Sequence, residues 1–381
     1  MATISKVATT EPTATLIPTL GGDWYTDPAI FEREQAAIFA TQWVCTARSA
    51  ELAEAGSFQV FEVGGESLII ARDLDLGIRA FYNVCRHRGS RICLEEAGQV
   101  KRTFQCPYHV WSYGLDGRLV GAPNLASMPE LESAGRGLLP VSVREWLGYV
   151  WVCLASEPPD FEATIVQQVT DRFGDPTMID RYGLEGLTVG RRIDYEVKAN
   201  WKLIVENFME CYHCANLHPE LVSVLPEFRR GYATQDKVGY GAEFGSDIEG
   251  FTYDGRPGFA PLAGLEAAQD RHYYGMTVMP QVVINLAPDH VILHRLFPVA
   301  VDRTLVRCDW LFAADVVSGG HDLDASVELF HRVNQQDFRA VEVCQPAMAS
   351  RVYRDGGVFV PAEHHIGAFN DWVRAQLGDA G

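Results

Sequence analysis

The sequence predicts an α+β protein made of two unlike parts, and two observations carry that prediction. Between residues 43 and 156, short β-branched and aromatic runs alternate with Gly and Asp punctuation such as Gly64-Gly65 and Asp116-Gly117, the pattern of short strands joined by tight turns. After the linker-like Glu157-Pro-Pro-Asp160, strand-like runs are interleaved with longer stretches of helical periodicity. The expected division is a tail and helix over 1–42 that packs on the second unit, an all-β unit over 43–158, and a mixed unit over 159–381.

In chain order, Asp27 and Pro28 read as cap and first-turn residue of a helix whose periodicity runs over 30–43. Strands are expected at 57–63, 67–72, 78–84, 141–145 and 149–154. In the second part strands are expected at 188–197, 276–286, 291–299 and 305–314, and helices at 200–215, 325–348 and 362–377. Residues 240–272 are Gly-rich with little periodicity, as in a functional lid or a mobile segment.

Composition removes several function classes. The 381 residues suffice for two domains. A net charge of −18 argues against nucleic acid or an anionic membrane as the main partner, while leaving room for a basic patch at Arg86, Arg88, Arg91, Lys101 and Arg102. No apolar run approaches the ~18 residues of a membrane span. The Thr- and Pro-rich first twenty residues, read as mobile, lack a basic-then-apolar secretory pattern, so the cytoplasm is the expected compartment. Nine cysteines at irregular spacings do not form a disulfide framework, and in a reducing compartment they read as metal ligands or core.

Two groups of ligand-type residues stand out. The first is Cys85-Arg-His87, then eighteen residues, then Cys106-Pro-Tyr-His109. Two thiolates and two imidazoles can hold a [2Fe–2S] cluster with one sulfur-ligated and one histidine-ligated iron. Gly89 and Pro107 suit loops whose amides approach such a group closely. A zinc site is the alternative, although zinc fingers pair Cys with Cys and His with His, whereas each half here mixes the two. Unrelated core residues are a further alternative.

The second group is Glu206-Asn-Phe-Met-Glu210-Cys-Tyr-His213-Cys-Ala-Asn-Leu-His218. On the helix expected after a cap at Asn200, Leu203, Glu206, Glu210 and His213 share one face. Ile204, Val205, Phe208, Met209 and Tyr212 flank them, so the helix is expected to be buried nearly all round, where charges need partners or a metal. Two imidazoles plus a later carboxylate make the open facial site of non-haem Fe(II) oxygenases. A core histidine bonded to Glu210 is the plainer alternative. Cys211 and Cys214 have zinc-type spacing but no second pair, and read as small buried residues. Downstream, Asp337 falls within the apolar stripe Phe330, Val333, Ala340, Val341, Cys344 and Met348, while Glu328 and Glu342 lie at its edge or off it. A buried acid wants a partner: the metal, or else Arg332 or Arg339 along the helix.

On these motifs the chain resembles the Rieske-type non-haem iron aromatic-ring-hydroxylating oxygenases, large (alpha) terminal oxygenase subunit. The matching stretches are Asn83 to Gly89, Cys106 to Gly117, Asn200 to Pro219 and residues 334–350. The resemblance implies a small all-β Rieske [2Fe–2S] domain followed by a catalytic helix-grip domain with a large antiparallel sheet flanked by helices. It implies that Cys85, His87, Cys106 and His109 hold one [2Fe–2S] cluster and that His213, His218 and Asp337 hold one mononuclear Fe(II). It makes Glu210 the electron-transfer bridge to the Rieske histidines of a neighbouring subunit and counts Asn207 among the catalytic residues. Glu at position 210 is associated with the branch that oxidises glycine betaine, carnitine, stachydrine and related quaternary amines.

The expected activity is therefore a terminal oxygenase that takes O₂, and electrons from NAD(P)H through a separate flavin/iron–sulfur reductase. It would N-demethylate a small quaternary ammonium compound with release of formaldehyde. A homotrimer or a multiple of it is expected, with Arg86, Arg88 and Trp111 shaping a docking surface beside the cluster. Phe208, Tyr212 and Tyr274 are the substrate-binding candidates, with Phe251, Tyr253, Tyr273 and Trp310 also available for cation–π contact. The alternatives are mono- or dihydroxylation of an aromatic compound, in a pocket of Val282, Val283, Ile284, Leu286, Ile292 and Leu293, and an electron-transfer protein using the cluster alone. The second ligand group argues against the latter.

Overall fold

A computed structural model of the chain describes residues 16–124, 127–128, 130–131, 134–231 and 237–379. Most of the Thr- and Pro-rich start lies outside these. Asp27 caps the helix Pro28–Glu34 by accepting from the Ala29 amide, and Pro28 fills the first turn, where no N–H is needed. The helix closes through a π-helical turn, Gln35–Phe39, instead of running to residue 43. The Trp43 indole is held by the Pro159 carbonyl, and a strand starts immediately after it.

That strand, Val44–Arg48, was not expected, because all five of its residues are buried and it has no in–out alternation to read. It forms one edge of a seven-stranded antiparallel sheet. The order continues through Tyr149–Cys153, Pro140–Trp146, Ile78–Tyr82, Glu66–Arg72 and Ser57–Val63 to Ala97–Gln99. A three-stranded sheet, Thr103–Gln105, Ser112–Gly114 and Leu119–Gly121, stands beside it.

The second sheet has six antiparallel strands in the order Thr188–Val197, Arg303–Phe312, His290–Ala300, Val282–Leu286, His272–Val278 and Ala242–Glu243. The single strand expected over 276–286 is two strands paired from Val278↔Val282 onward. Pro280, which cannot donate to a ladder, sits in the turn between them. Alternation then assigns the faces. Val282, Ile284, Leu286 and Leu293 join the core behind the sheet, whereas the 25-residue helix Asp324–Met348 packs Phe330 and Val333 against Ile292, Trp310 and Phe312 on the other side. The architecture is α+β, with helices against a large curled antiparallel sheet. Residues 240–272 are largely irregular, but Phe244, Phe251 and Leu262 are buried and Phe251 stacks on Tyr273 at 5.0 Å, so this loop is a fixed cover. Among the described residues, no helix is long and apolar enough to cross a membrane.

Candidate metal centres and substrate cavity

Asn200 caps the helix Trp201–Phe208 by accepting from the Lys202 amide at 3.0 Å. The helix stops at Phe208 and does not reach residue 215. Glu210 accounts for the stop, because its carboxylate accepts from the backbone amides of Tyr212 and His213 and offers them an alternative to the helical ladder. Two short helices, Cys214–Leu217 and Pro219–Val224, follow. The break corrects the expected common face of Glu206, Glu210 and His213. Glu206 points away from the histidines, receives the Tyr25 hydroxyl at 2.8 Å, and is pushed up to about 7 by burial. Beside it, Lys202 pairs with Glu34 in the interior. A second correction concerns Cys211 and Cys214, which are buried but are joined as a disulfide.

The break brings three donors together. His213 Nε2 lies 3.1 Å from His218 Nε2 and 3.2 Å from Asp337 Oδ1, and His218 Nε2 lies 2.8 Å from the same oxygen. Donors on one face of an octahedral ion, at bonds of about 2.1 Å, stand about 3 Å apart. The rest of each ring supports the same use. His213 Nδ1 faces the Glu210 carboxylate, and His218 Nδ1 faces Gln336 Oε1 at 2.7 Å. With both Nδ1 atoms donating, both Nε2 lone pairs are left for one point, the arrangement metal-ligating histidines adopt. Electrostatics favours a cation there. Burial opposes charge on His213, yet the Asp337 and Glu210 carboxylates raise it to about 10. Burial likewise opposes charge on Asp337, and the two histidines hold it below the usual carboxylate range. The donor set fits a mononuclear iron. Arg332, the alternative partner of Asp337, instead pairs with Glu328 and covers the Tyr253 ring.

The other four ligand-type residues lie on two loops of matching build. Gly89 N donates to Cys85 O at 3.0 Å and Cys85 N to Ser90 O at 2.8 Å; Val110 N donates to Cys106 O at 3.1 Å and Cys106 N to Trp111 O at 2.8 Å. Gly89 (φ 74°) and Val110 (φ 61°) occupy equivalent left-handed positions, a strained one for a β-branched residue. Cys85 and Cys106 are buried, whereas the His87 and His109 rings stand toward solvent with centroids 4.6 Å apart. Trp111 stacks flat on His87 at 4.8 Å, and Tyr113 OH sits 3.2 Å from Cys85 Sγ. His109 Nδ1 is buried with no partner among the described residues, a lone pair with nothing to bind. Burial pushes the Cys106 thiol up, but the Tyr108 and His109 amides, with Cys85 and Ser90, bring it below the ordinary thiol range. Two thiol-derived sulfurs inside and two imidazoles outside fit a [2Fe–2S] cluster with its histidine end exposed.

A cavity opens onto the His213–His218–Asp337 face. Its aromatic walls are Phe208, Phe228, Tyr273 and Phe330, and Asn207 and Glu210 also line it. Of the substrate-binding candidates, Phe208 lines the cavity. Tyr274 does not: it lies on the opposite face of its strand, against Phe173, and the neighbouring Tyr273 faces the cavity. Tyr212 is 56% exposed on the outer side of the ligand turn. Of the six apolar residues proposed for an aromatic substrate, only Val283 lines the cavity. Trp310 is core behind it, and Tyr253 is at the surface. The Tyr273 hydroxyl donates to Asn285 Oδ1 at 2.5 Å, and the Asn285 amide faces His294 Nδ1 at 3.3 Å. Burial lowers His294 to about 4, so this ring is neutral. Among the described lining residues there is no Lys or Arg. Phe228 and Phe330 escaped the sequence reading because an aromatic residue there looks like any core aromatic, and Tyr273 stood only among several available aromatics, although strand parity with Val283 and Asn285 singles it out.

Residues 42–133 match the Rieske [2Fe–2S] domain, and residues 184–379 match the ring hydroxylating alpha subunit (catalytic domain). The glycine betaine monooxygenase oxygenase subunit of Pseudomonas aeruginosa (strain UCBPP-PA14) is 31% identical, over 93% of this chain and 88% of that one. The carnitine monooxygenase oxygenase subunit of Escherichia coli (strain K12) is 30% identical, over 95% and 94%. The quaternary ammonium Rieske monooxygenase CntA, solved in complex with its substrate L-carnitine, superposes with a TM-score of 0.72 at 27% identity, covering 96% of each chain.

Proposed function

The chain belongs to the ring-hydroxylating oxygenase alpha subunits, Rieske non-haem iron oxygenases that carry a Rieske cluster domain ahead of a catalytic domain, and from that premise we propose that it N-demethylates a small quaternary ammonium compound. One observation carries the choice of substrate: the cavity is walled by four aromatic rings and contains Glu210 and Asp337 but no Lys or Arg among its described residues. A permanent cation gains from ring faces and from carboxylates and is repelled by neither. The likeness to glycine betaine and carnitine monooxygenase subunits, and to CntA with bound L-carnitine, supports the same class.

In this reading residues 43–158 carry the cluster on Cys85, His87, Cys106 and His109, and residues 159–381 carry the iron on His213, His218 and Asp337. Bound there, the iron supplies O₂ activation for hydroxylation of a substrate C–H bond, with electrons delivered through the cluster. The substrate nitrogen has no lone pair, so oxidation falls on a carbon attached to it. A hydroxymethyl group on a cationic nitrogen then collapses to formaldehyde, a tertiary amine and a proton. Phe208, Phe228, Tyr273 and Phe330 hold the ammonium group over the metal face, and Asn285 fixes the Tyr273 hydroxyl by accepting its proton. Glu210 fixes the tautomer of His213, and in this reading its carboxylate, which lines the cavity, also receives an imidazole from a neighbouring subunit. CntA is described as using inter-subunit electron transfer, which supports a homotrimer or a multiple of it. A flavin/iron–sulfur reductase using NAD(P)H is the expected electron source.

The test is turnover with a reductase, NADH and a panel of betaines, with formaldehyde and tertiary amine both measured. Equal yields of the two support N-demethylation. Oxidation of an aromatic ring, with no betaine consumed, rejects it.

A further inference from the structure

The turn that presents His213 also places two sulfurs in the cavity wall, and the proposed activity uses neither. Cys214 Sγ lies 4.0 Å from His213 Nε2. His213, Cys214 and His218 form a group whose donor atoms all lie within 4.8 Å of one another, and Asp337 Oδ1 touches both histidines. In the structure that sulfur is bonded to Cys211. The difference matters chemically. A disulfide sulfur is a weak ligand, whereas a free cysteine is a strong soft donor that draws zinc-like ions. Closed, the site offers two imidazoles and a carboxylate, an open face suited to iron. Opened, it offers two imidazoles, a carboxylate and a sulfur, four donors of the kind that make a tetrahedral zinc site.

We propose that the Cys211–Cys214 disulfide is a metal-identity lock: closed, it reserves the His213–His218–Asp337 face for iron; opened by a dithiol, it turns the same place into a His₂-Asp-Cys site for zinc or cobalt. Opening passes two electrons and two protons from the dithiol to the disulfide, breaking one S–S bond and leaving two cysteine thiols and the oxidised reductant. Metal capture by Cys214 then releases its proton. The inference rests on the reading of this face as the iron site.

The test uses the full-length protein after a chelator has removed the mononuclear iron, with the cluster followed by its visible absorption. Co(II) is added with and without prior dithiol treatment. The lock predicts a sulfur-to-cobalt charge-transfer band in the near ultraviolet only after reduction. Cys211→Ser, which frees Cys214 permanently, shows the band without reductant and accumulates zinc in place of iron during expression. Cys214→Ser shows no band under either condition. Differential alkylation should find two fewer reactive thiols before reduction than after. A band that persists in Cys214→Ser, a Cys211→Ser protein that binds cobalt without the band, or Cys211 and Cys214 already free in iron-loaded protein overturns the lock. If instead His213→Ala and Asp337→Ala bind cobalt as tightly as the parent, the iron-site reading itself fails.

Discussion

Each imidazole of the mononuclear face is committed by its second nitrogen, His213 to Glu210 and His218 to Gln336, so the lone pairs that meet at Asp337 are positioned before any ion arrives. Asp337→Ala removes the one charged donor. The expected result is a fall from about three to about two irons per chain with the cluster spectrum unchanged, measured by iron analysis beside visible absorption. Glu210→Gln keeps a hydrogen-bond acceptor but loses the charge. Both centres should fill, while transfer from reduced cluster to iron slows by about 10- to 100-fold in stopped-flow oxidation, the range lost when groups behind metal ligands are changed. In the cavity, Tyr273→Leu should raise KM for a betaine about 2- to 30-fold, the equivalent of ~0.5–2 kcal/mol of cation–π contact. Tyr274→Phe should leave KM unchanged. At this scale ligand-type residues were legible, because Cys, His and buried Asp in fixed spacing have few other uses. Cavity aromatics were not: Tyr273 and Tyr274 differ only in which way the strand turns them.

The helix Trp201–Phe208 shows how one residue sets an element's length. Periodicity alone carries it to residue 215, since Ile204, Val205, Phe208, Met209 and Tyr212 look like a continuous apolar lining. Hydrogen bonding of Glu210 to the next amides wins locally, and that competition is not visible in an apolar pattern. The same break leaves Glu206 sealed against Tyr25. Its folded value of about 7 exceeds the ordinary 4.5, so the neutral form is the stabilised one. That contribution is complete below pH 4.5 and is lost as pH rises through about 7. Glu206→Gln should therefore melt like the parent near pH 4.5 but be more stable at pH 8 by up to about 3 kcal/mol, seen as a higher melting temperature. Equal melting at both pH values would show that Glu206 ionises freely. The strands at Ser57–Val63 and Thr188–Val197 end where the sequence predicts, because β-branched runs bounded by turns leave little choice; Val44–Arg48 has no such boundary or alternation.

Across the whole molecule, the histidine end of the cluster site faces outward, and Glu210 lines the catalytic cavity. If the electron crosses between subunits, two inactive variants should complement each other. Cys106→Ser, which lacks the cluster, and Asp337→Ala, which lacks the iron, should recover activity when co-assembled, because some neighbours then pair an intact cluster with an intact iron. A mixture no more active than its parts would place the transfer within one chain. The order of the two parts was legible in the sequence because strand-rich and mixed stretches differ in period. The disulfide was not, since two cysteines three apart read equally well as core, and only the turn at 211–214 brings them together.

In the proposed reaction, a cation-accepting cavity over a two-histidine, one-carboxylate iron site positions a carbon attached to a quaternary nitrogen for oxidation. The most direct measurement supplies the purified protein with reductase, NADH, O₂ and a trimethylammonium betaine carrying ¹³C in its N-methyl groups. Trapped formaldehyde and the dimethylamino product, which keeps the rest of the betaine, are then counted against O₂ consumed. One labelled formaldehyde per coupled turnover is expected, absent in Asp337→Ala. Sustained coupled O₂ consumption that leaves every quaternary ammonium compound intact while hydroxylating an aromatic ring would contradict it.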